Sequence, residues 1–138
     1  MKVLVDTPVW SLALRRKFGD LSLSERRVAE SLTELIGAGR AELLGAVRQE
    51  LLSGLREEEQ FLRLCRYLRS SPDVTLSLED YEDAAQASNR CRSGGIAASP
   101  VDLLICSVAL RRNWQIFTTD GDFDHYAKVL PIRLFLSR

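Results

Sequence analysis

Four acidic residues in this 138-residue chain stand against apolar sequence at the end or start of a predicted element: Asp6, Glu50, Asp102 and Asp120, with Asp122 as a fifth candidate. The run Ile116-Phe117-Thr118-Thr119 stops at Asp120-Gly121-Asp122, and Phe123 follows. An apolar run bounded by Asp and Gly reads as a buried strand entering a turn. Open α/β sheets bind their ligands at that end of their strands. Val3-Leu4-Val5 repeats the arrangement by running into Asp6-Thr7-Pro8. Asp6 and Asp120 therefore end parallel strands at one pole of a sheet. Asp102 falls in the first turn of a predicted helix, and such turns gather at the same pole. Each acid also has a plainer reading. Asp102 suits a helix cap, Asp120 and Asp122 suit a turn, and Glu50 suits a solvated helix face. Asp6 is the hardest to explain that way.

Several carboxylates in one pocket cannot all ionise without a compensating cation. No lysine or arginine adjoins any of them, and neither does a histidine or cysteine. A hard oxygen donor set favours Mg²⁺ or Mn²⁺ over zinc. Magnesium held by a few carboxylates keeps sites for water and for phosphate oxygens. It can activate a water and stabilise the departing oxygen of an in-line displacement. The implied chemistry is phosphodiester hydrolysis.

These residues need a scaffold. The pattern predicts a strand over 2–5, and Thr7-Pro8 reads as an N-cap with proline at the first helical position, opening a helix over 8–18. Val9, Trp10, Leu12, Ala13, Leu14 and Phe18 cover more of that helix than one core needs. It is either sandwiched or docks a partner, and the partner is preferred. Ser22-x-x-Glu25 is a capping box for a helix ending near Gly37 or Gly39. A short strand over 40–45 and helices over 46–55 and 57–70 follow, the last with Cys65 on its apolar side. Val74–Leu76 reads as a brief strand, and Ser77-x-x-Asp80 caps a helix over 79–92. A helix over 100–112, a strand over 114–118, a short helix from 121 and a strand near 132–136 complete the chain. Alternating strands and helices predict a three-layer α/β/α fold around a central, mostly parallel sheet of four or five strands. Neither a repeat nor a domain boundary interrupts it, so residues 1–138 read as a single domain.

An apolar fraction of 46% and a charged fraction of 28% place the chain among ordinary globular proteins. No apolar run reaches transmembrane length, and the N-terminus lacks a signal peptide's pattern, so no membrane is expected and the cytoplasm is. Cys65, Cys91 and Cys106 suit reduced thiols. Nineteen basic residues balance nineteen acidic ones, which argues mildly against a nucleic-acid binder. Only Lys2, Lys17 and Lys128 of the basic set are lysine, and arginine's planar fork suits phosphate as well as carboxylate. Arg15-Arg16, Arg63/Arg66 and Arg111-Arg112 are candidates to follow an RNA backbone, although solvated helix faces explain them equally. Arg15 and Arg16 are the better pair, since they share the helix that begins at Asp6. His125, Trp10 and Trp114 are read as surface or packing residues.

The motifs Asp6-Thr7, Glu50-Leu51-x-x-Gly54, Asp102 ahead of Leu104-Ile105, and Thr118-x-Asp120-x-Asp122-Phe123 resemble, in order, those of PIN-domain nucleases, and most closely the VapC toxins of bacterial toxin–antitoxin pairs. The resemblance spans essentially the whole chain. It implies a PIN-like fold and an Mg²⁺- or Mn²⁺-dependent endoribonuclease with tRNA or rRNA as the usual target. The residues matching Asp6, Glu50, Asp102 and Asp120 would hold the metal. Thr118 would support the site by hydrogen bonding, Asp122 would assist through water, and Thr7 belongs to the same supporting group. The family also implies a homodimer and a small VapB-like antitoxin that covers the site and often inserts a basic side chain. The helix over 8–18 would then form part of its groove. Two departures stand out: Pro8 replaces the usual Ser or Asn, and Cys106-Ser107 replace small alanines. Two competing readings are a catalytically inactive PIN-like module that binds RNA or protein and a phosphoryl-accepting receiver domain. The acidic positions are intact, which argues against the first. The second would need a late lysine that the last strands lack, and it would not place Glu50 on a helix.

Overall fold

The computed structural model describes residues 1–136. At its centre is β1 (Val3–Val5), flanked in parallel by β2 (Ala41–Glu42) and β3 (Gln115–Phe117) in the order β2-β1-β3. Val3, Leu4 and Val5 are all fully buried. Successive residues of a strand point to opposite faces, so both faces of the sheet are covered at β1, as a parallel arrangement requires. The crossover from β1 to β2 carries α1 (Thr7–Leu14) and α2 (Leu23–Gly37). The return to β3 carries α3 (Gly45–Ser53), α4 (Glu58–Leu68), α5 (Leu78–Ser93) and α6 (Pro100–Arg112), and α7 (Asp122–Tyr126) follows.

Both predicted capping boxes form. Ser22 Oγ accepts from Glu25 N while Glu25 returns to Ser22 N, and Ser77 and Asp80 do the same. The helix α6 buries Leu103, Ile105, Cys106, Ser107, Val108 and Ala109, and it packs on α5, β1 and β3. Asp80, fully buried on α5, holds it there. Arg112 grips that carboxylate with both arms, at 2.7 and 2.9 Å, and Arg111 Nε lies 3.3 Å away. Arg112 is therefore an internal tie, whereas Arg111 stays exposed and reaches Asp80 and Asp83 from the surface.

Several expectations are corrected. Among the described residues the sheet has three strands, not four or five. The segments predicted as outer strands contribute single bridges, Leu43↔Asp73 and Ile116↔Leu134. Their neighbours are the reason: β2 is two residues long and β3 three, which leaves too little edge to extend a ladder. The helix predicted over 8–18 stops at Leu14, and Phe18–Asp20 forms a separate 3₁₀ turn. Its cap is Asp6 rather than Thr7. Val9, Trp10 and Leu12 are buried, with Trp10 Nε1 donating to the Val5 carbonyl at 3.1 Å. The helix packs against α2 and α3, so the sandwiched reading replaces the partner for Val9, Trp10 and Leu12. Cys65 is only half-buried, and Leu64 and Leu68 take the core positions of α4. No helix among the described residues is long and apolar enough to cross a membrane.

Candidate metal centre

The register of β1 on β3 pairs Val5 with Phe117, so Asp6 and Thr118 leave the sheet side by side. The Asp6 N–H still donates to the Phe117 carbonyl at 2.9 Å. One Asp6 oxygen caps α1 by accepting from Thr7 N at 2.8 Å, and the other accepts from the Thr118 hydroxyl at 2.8 Å. Thr118 Oγ1 in turn accepts from Asp120 N at 3.0 Å, and Asp120 Oδ1 accepts from Asp122 N at 2.9 Å. A chain of short hydrogen bonds thus runs from the end of β1 through the end of β3 into the first turn of α7.

Asp102 approaches from α6. Ser99 Oγ accepts from Asp102 N at 3.1 Å, but the return bond that completes the boxes at Ser22 and Ser77 is not made here. The Asp102 carboxylate is turned instead toward the cluster, where the Tyr126 hydroxyl donates to it at 2.7 Å. One carboxylate oxygen each from Asp102, Asp120 and Asp122 lie within 4.8 Å of one another. Glu50, on α3 and exposed, reaches the same side through the Thr7 hydroxyl, which donates to its Oε2 at 3.2 Å. All the acids singled out in the sequence therefore face one region. The tightest group contains Asp122, however, while Asp6 and Glu50 adjoin it through Thr118 and Thr7.

Burial pushes the Asp6 carboxyl up to about 6, and the negative charges of Asp102 and Glu50 add to this against the opposing pull of Thr118 and Thr7. None of the five acids forms an ion pair with Lys, Arg or His among the described residues. An all-carboxylate set of this kind, crowded and lacking a protein cation, fits a hard divalent ion such as Mg²⁺ or Mn²⁺. It does not fit zinc, whose nitrogen and sulfur donors are missing.

Tyr126 was not identified from the sequence. Burial and the Asp102 carboxylate both push its phenol pKa up, so it acts as a donor. The available signal was its spacing: Tyr126 lies four residues after Asp122, on the same face of a one-turn helix. His125 is exposed, and Trp114 lies beneath the Arg112 guanidinium at 5.7 Å. Of the arginines on α1's C-terminal side, Arg16 pairs with Glu25 at 3.1 Å. Arg15 has no ion pair among the described residues, and its guanidinium lies against Gly54.

A PIN domain family model matches residues 3–129. No curated protein matches the sequence. Among solved structures, FitAcB from Neisseria gonorrhoeae aligns with 97% of this chain and 96% of its own at 21% identity, with a TM-score of 0.74. VapBC2 from Rickettsia felis, solved bound to a DNA fragment from its promoter, aligns with 98% of each chain at 17% identity and a TM-score of 0.71. A toxin–antitoxin complex from Klebsiella pneumoniae covers 88% of this chain and 90% of its own at 17% identity, with a TM-score of 0.62. At these identities the likeness is one of fold.

Proposed function

The chain belongs to the PIN-domain family, and from that premise we propose that it is a metal-dependent endoribonuclease, the toxin of a toxin–antitoxin pair, acting in the cytoplasm as a single PIN domain. The observation that carries this reading is the convergence of Asp102, Asp120 and Asp122 oxygens within 4.8 Å, beside a buried Asp6 that Thr118 links to Asp120. Asp6, Glu50, Asp102 and Asp120 would hold Mg²⁺ or Mn²⁺, with Asp122 within reach. When bound, such an ion lowers the pKa of a water and neutralises charge on a phosphodiester. Thr118 fixes the outer oxygen of Asp6, and its acceptor bond from Asp120 N holds the turn that carries Asp120 and Asp122. Thr7 steadies Glu50. The cluster repels phosphate unless it is neutralised, so RNA binds productively only with the metal in place. Arg15, at the far end of α1 and without an ion pair among the described residues, would take an RNA phosphate. tRNA and rRNA are the expected substrate classes.

The partners proposed are a VapB-like antitoxin and a second copy of the chain. An open cleft of about 400 Å³ between the end of α1 and α4, lined by Leu14, Leu55 and Leu64 with Arg15 and Arg63 at its rim, supports the antitoxin. Its apolar floor and basic edge suit an acidic, apolar segment. The test is digestion of total tRNA and rRNA with Mg²⁺ or Mn²⁺, with and without EDTA. Discrete cuts that disappear with the chelator, and in Asp6→Asn and Asp102→Asn, are expected. A folded protein that binds RNA with either ion and never cuts it would leave the inactive binding module in place.

A further inference from the structure

Tyr126 is the one non-acidic side chain of α7 that bonds into the acid cluster. Its hydroxyl donates to Asp102 Oδ2 at 2.7 Å, and its ring is buried edge-on to Phe123 with centroids 5.1 Å apart. The Leu130 N–H closes on the Tyr126 carbonyl at 2.8 Å, so packing and backbone together set where the phenol stands. The main chain of Asp102 is fixed by the bond from its own N–H to Ser99 Oγ. The backbone of Asp102 is therefore anchored, and one oxygen of its carboxylate is engaged by a short hydrogen bond. A carboxylate that chelates one cation through both oxygens must bring both to it together, and a donor seated on one of them opposes this. Mg²⁺ takes single oxygens in a tight octahedron at about 2.0–2.1 Å, whereas Ca²⁺ accepts two-oxygen carboxylates at about 2.3–2.6 Å. Groups that orient metal ligands typically change affinity or activity by roughly 10–100-fold when removed.

We propose that Tyr126 is a positioning residue that holds Asp102 to a single-oxygen presentation and so biases the centre toward small divalent ions over Ca²⁺. This rests on the metal reading given above and deepens it. The measurement is competition of Mg²⁺ and Ca²⁺ against Mn²⁺, followed by electron paramagnetic resonance of the free Mn²⁺, in the wild-type chain and in Tyr126→Phe. The substitution keeps the ring and removes only the hydroxyl. Tyr126→Met serves the same readout if the Phe variant melts below the assay temperature. The ratio of Ca²⁺ to Mg²⁺ dissociation constants falls about threefold or more without the hydroxyl. A merely structural role would weaken both ions together and leave the ratio alone, and a smaller change in the ratio overturns the proposal. A wild-type chain that binds no divalent ion removes the metal reading and this inference with it. The expected change in ratio without RNA cleavage removes only the ribonuclease reading and leaves Tyr126 in its role.

Discussion

At the scale of single residues, Asp6 carries the clearest physical consequence. Its carboxyl titrates near 6 in the folded chain because it is buried, whereas an unfolded aspartate ionises near pH ~4. A raised acid favours the folded state below the unfolded value, and that contribution is lost as the pH rises through about 6. In EDTA the melting temperature should therefore drop between about pH 4 and 6, and Asp6→Asn should flatten that drop and stabilise the metal-free protein at pH 7 by on the order of 2 kcal/mol. The same proton competes with a metal, so Mn²⁺ affinity should fall about tenfold per pH unit below 6, as a calorimetric titration series would measure. Thr118→Val keeps the shape of the side chain and removes both of its hydrogen bonds. Cleavage should drop by roughly 10–100-fold, and the pH midpoint for Mn²⁺ binding should move upward, because the Thr118 bond is the larger of the two that lower Asp6's pKa. Unchanged cleavage in that variant would remove Thr118 from the site. The acidic residue types were legible in the sequence because a charge directly after a buried run is conspicuous. Their grouping was not. Asp122 suits a turn and stands in the tightest group, and the bond from Tyr126 to Asp102 spans 24 residues, so only the spacing of Tyr126 from Asp122 hints at it.

At the scale of elements, the α5–α6 pair depends on Asp80. The Arg112 guanidinium beside it holds its carboxyl well below the usual carboxylate range, against the effect of burial. A depressed acid stabilises the fold at all pH values above its unfolded value and loses that contribution as the pH falls below about 4. Asp80→Asn should cost about 3 kcal/mol at pH 7, since it leaves a guanidinium without its partner. It should also make the acid limb of the stability curve shallower, which urea unfolding at pH 3 and pH 7 would measure. A second junction joins the end of α3 to the end of α1. Gly54 leaves room for the Arg15 guanidinium where a methyl group would intrude. Gly54→Ala should melt within a few degrees of wild type, because a flexible side chain yields. It should nevertheless weaken RNA binding as Arg15→Ala does, each lowering the salt slope by about 0.7, the share of one phosphate on a single strand. A slope unchanged in both variants would exclude Arg15 as a phosphate contact. The helices were legible at their starts, since Ser22, Ser77 and Ser99 announce caps through side-chain chemistry. Two things were not: the end of α1, where Arg15-Arg16-Lys17 carries no stop signal, and the outer strands, whose pairing is limited by the length of their neighbours and not by their own apolar pattern.

At the scale of the whole molecule, the sheet is small and the acids are drawn from both ends of the chain, so ligand binding and folding are coupled. Mg²⁺ at about 100 times its dissociation constant should add roughly 2.7 kcal/mol to stability. That gain is read as a rise in melting temperature that Asp102→Asn abolishes. With formal charge balanced at 19 basic and 19 acidic residues, the molecule has no net long-range pull on a polyanion, so recruitment of the proposed RNA substrate would depend on local cations and on the metal. The fold class was legible because strand and helix patterns alternate along the chain, whereas the width of the sheet was settled only by tertiary pairing. The bond from Thr118 to Asp6 spans 112 residues, and this has a consequence for synthesis. While a ribosome is still making the chain, Asp6 and Glu50 have emerged but the strand that completes their surroundings has not. Any fragment lacking β3 also lacks Thr118 and Asp120, and it can acquire no cutting activity however well its helices form. The proposed nuclease would therefore be harmless to the machine that makes it until β3 and the turn after it have emerged, which gives an antitoxin that interval in which to be waiting.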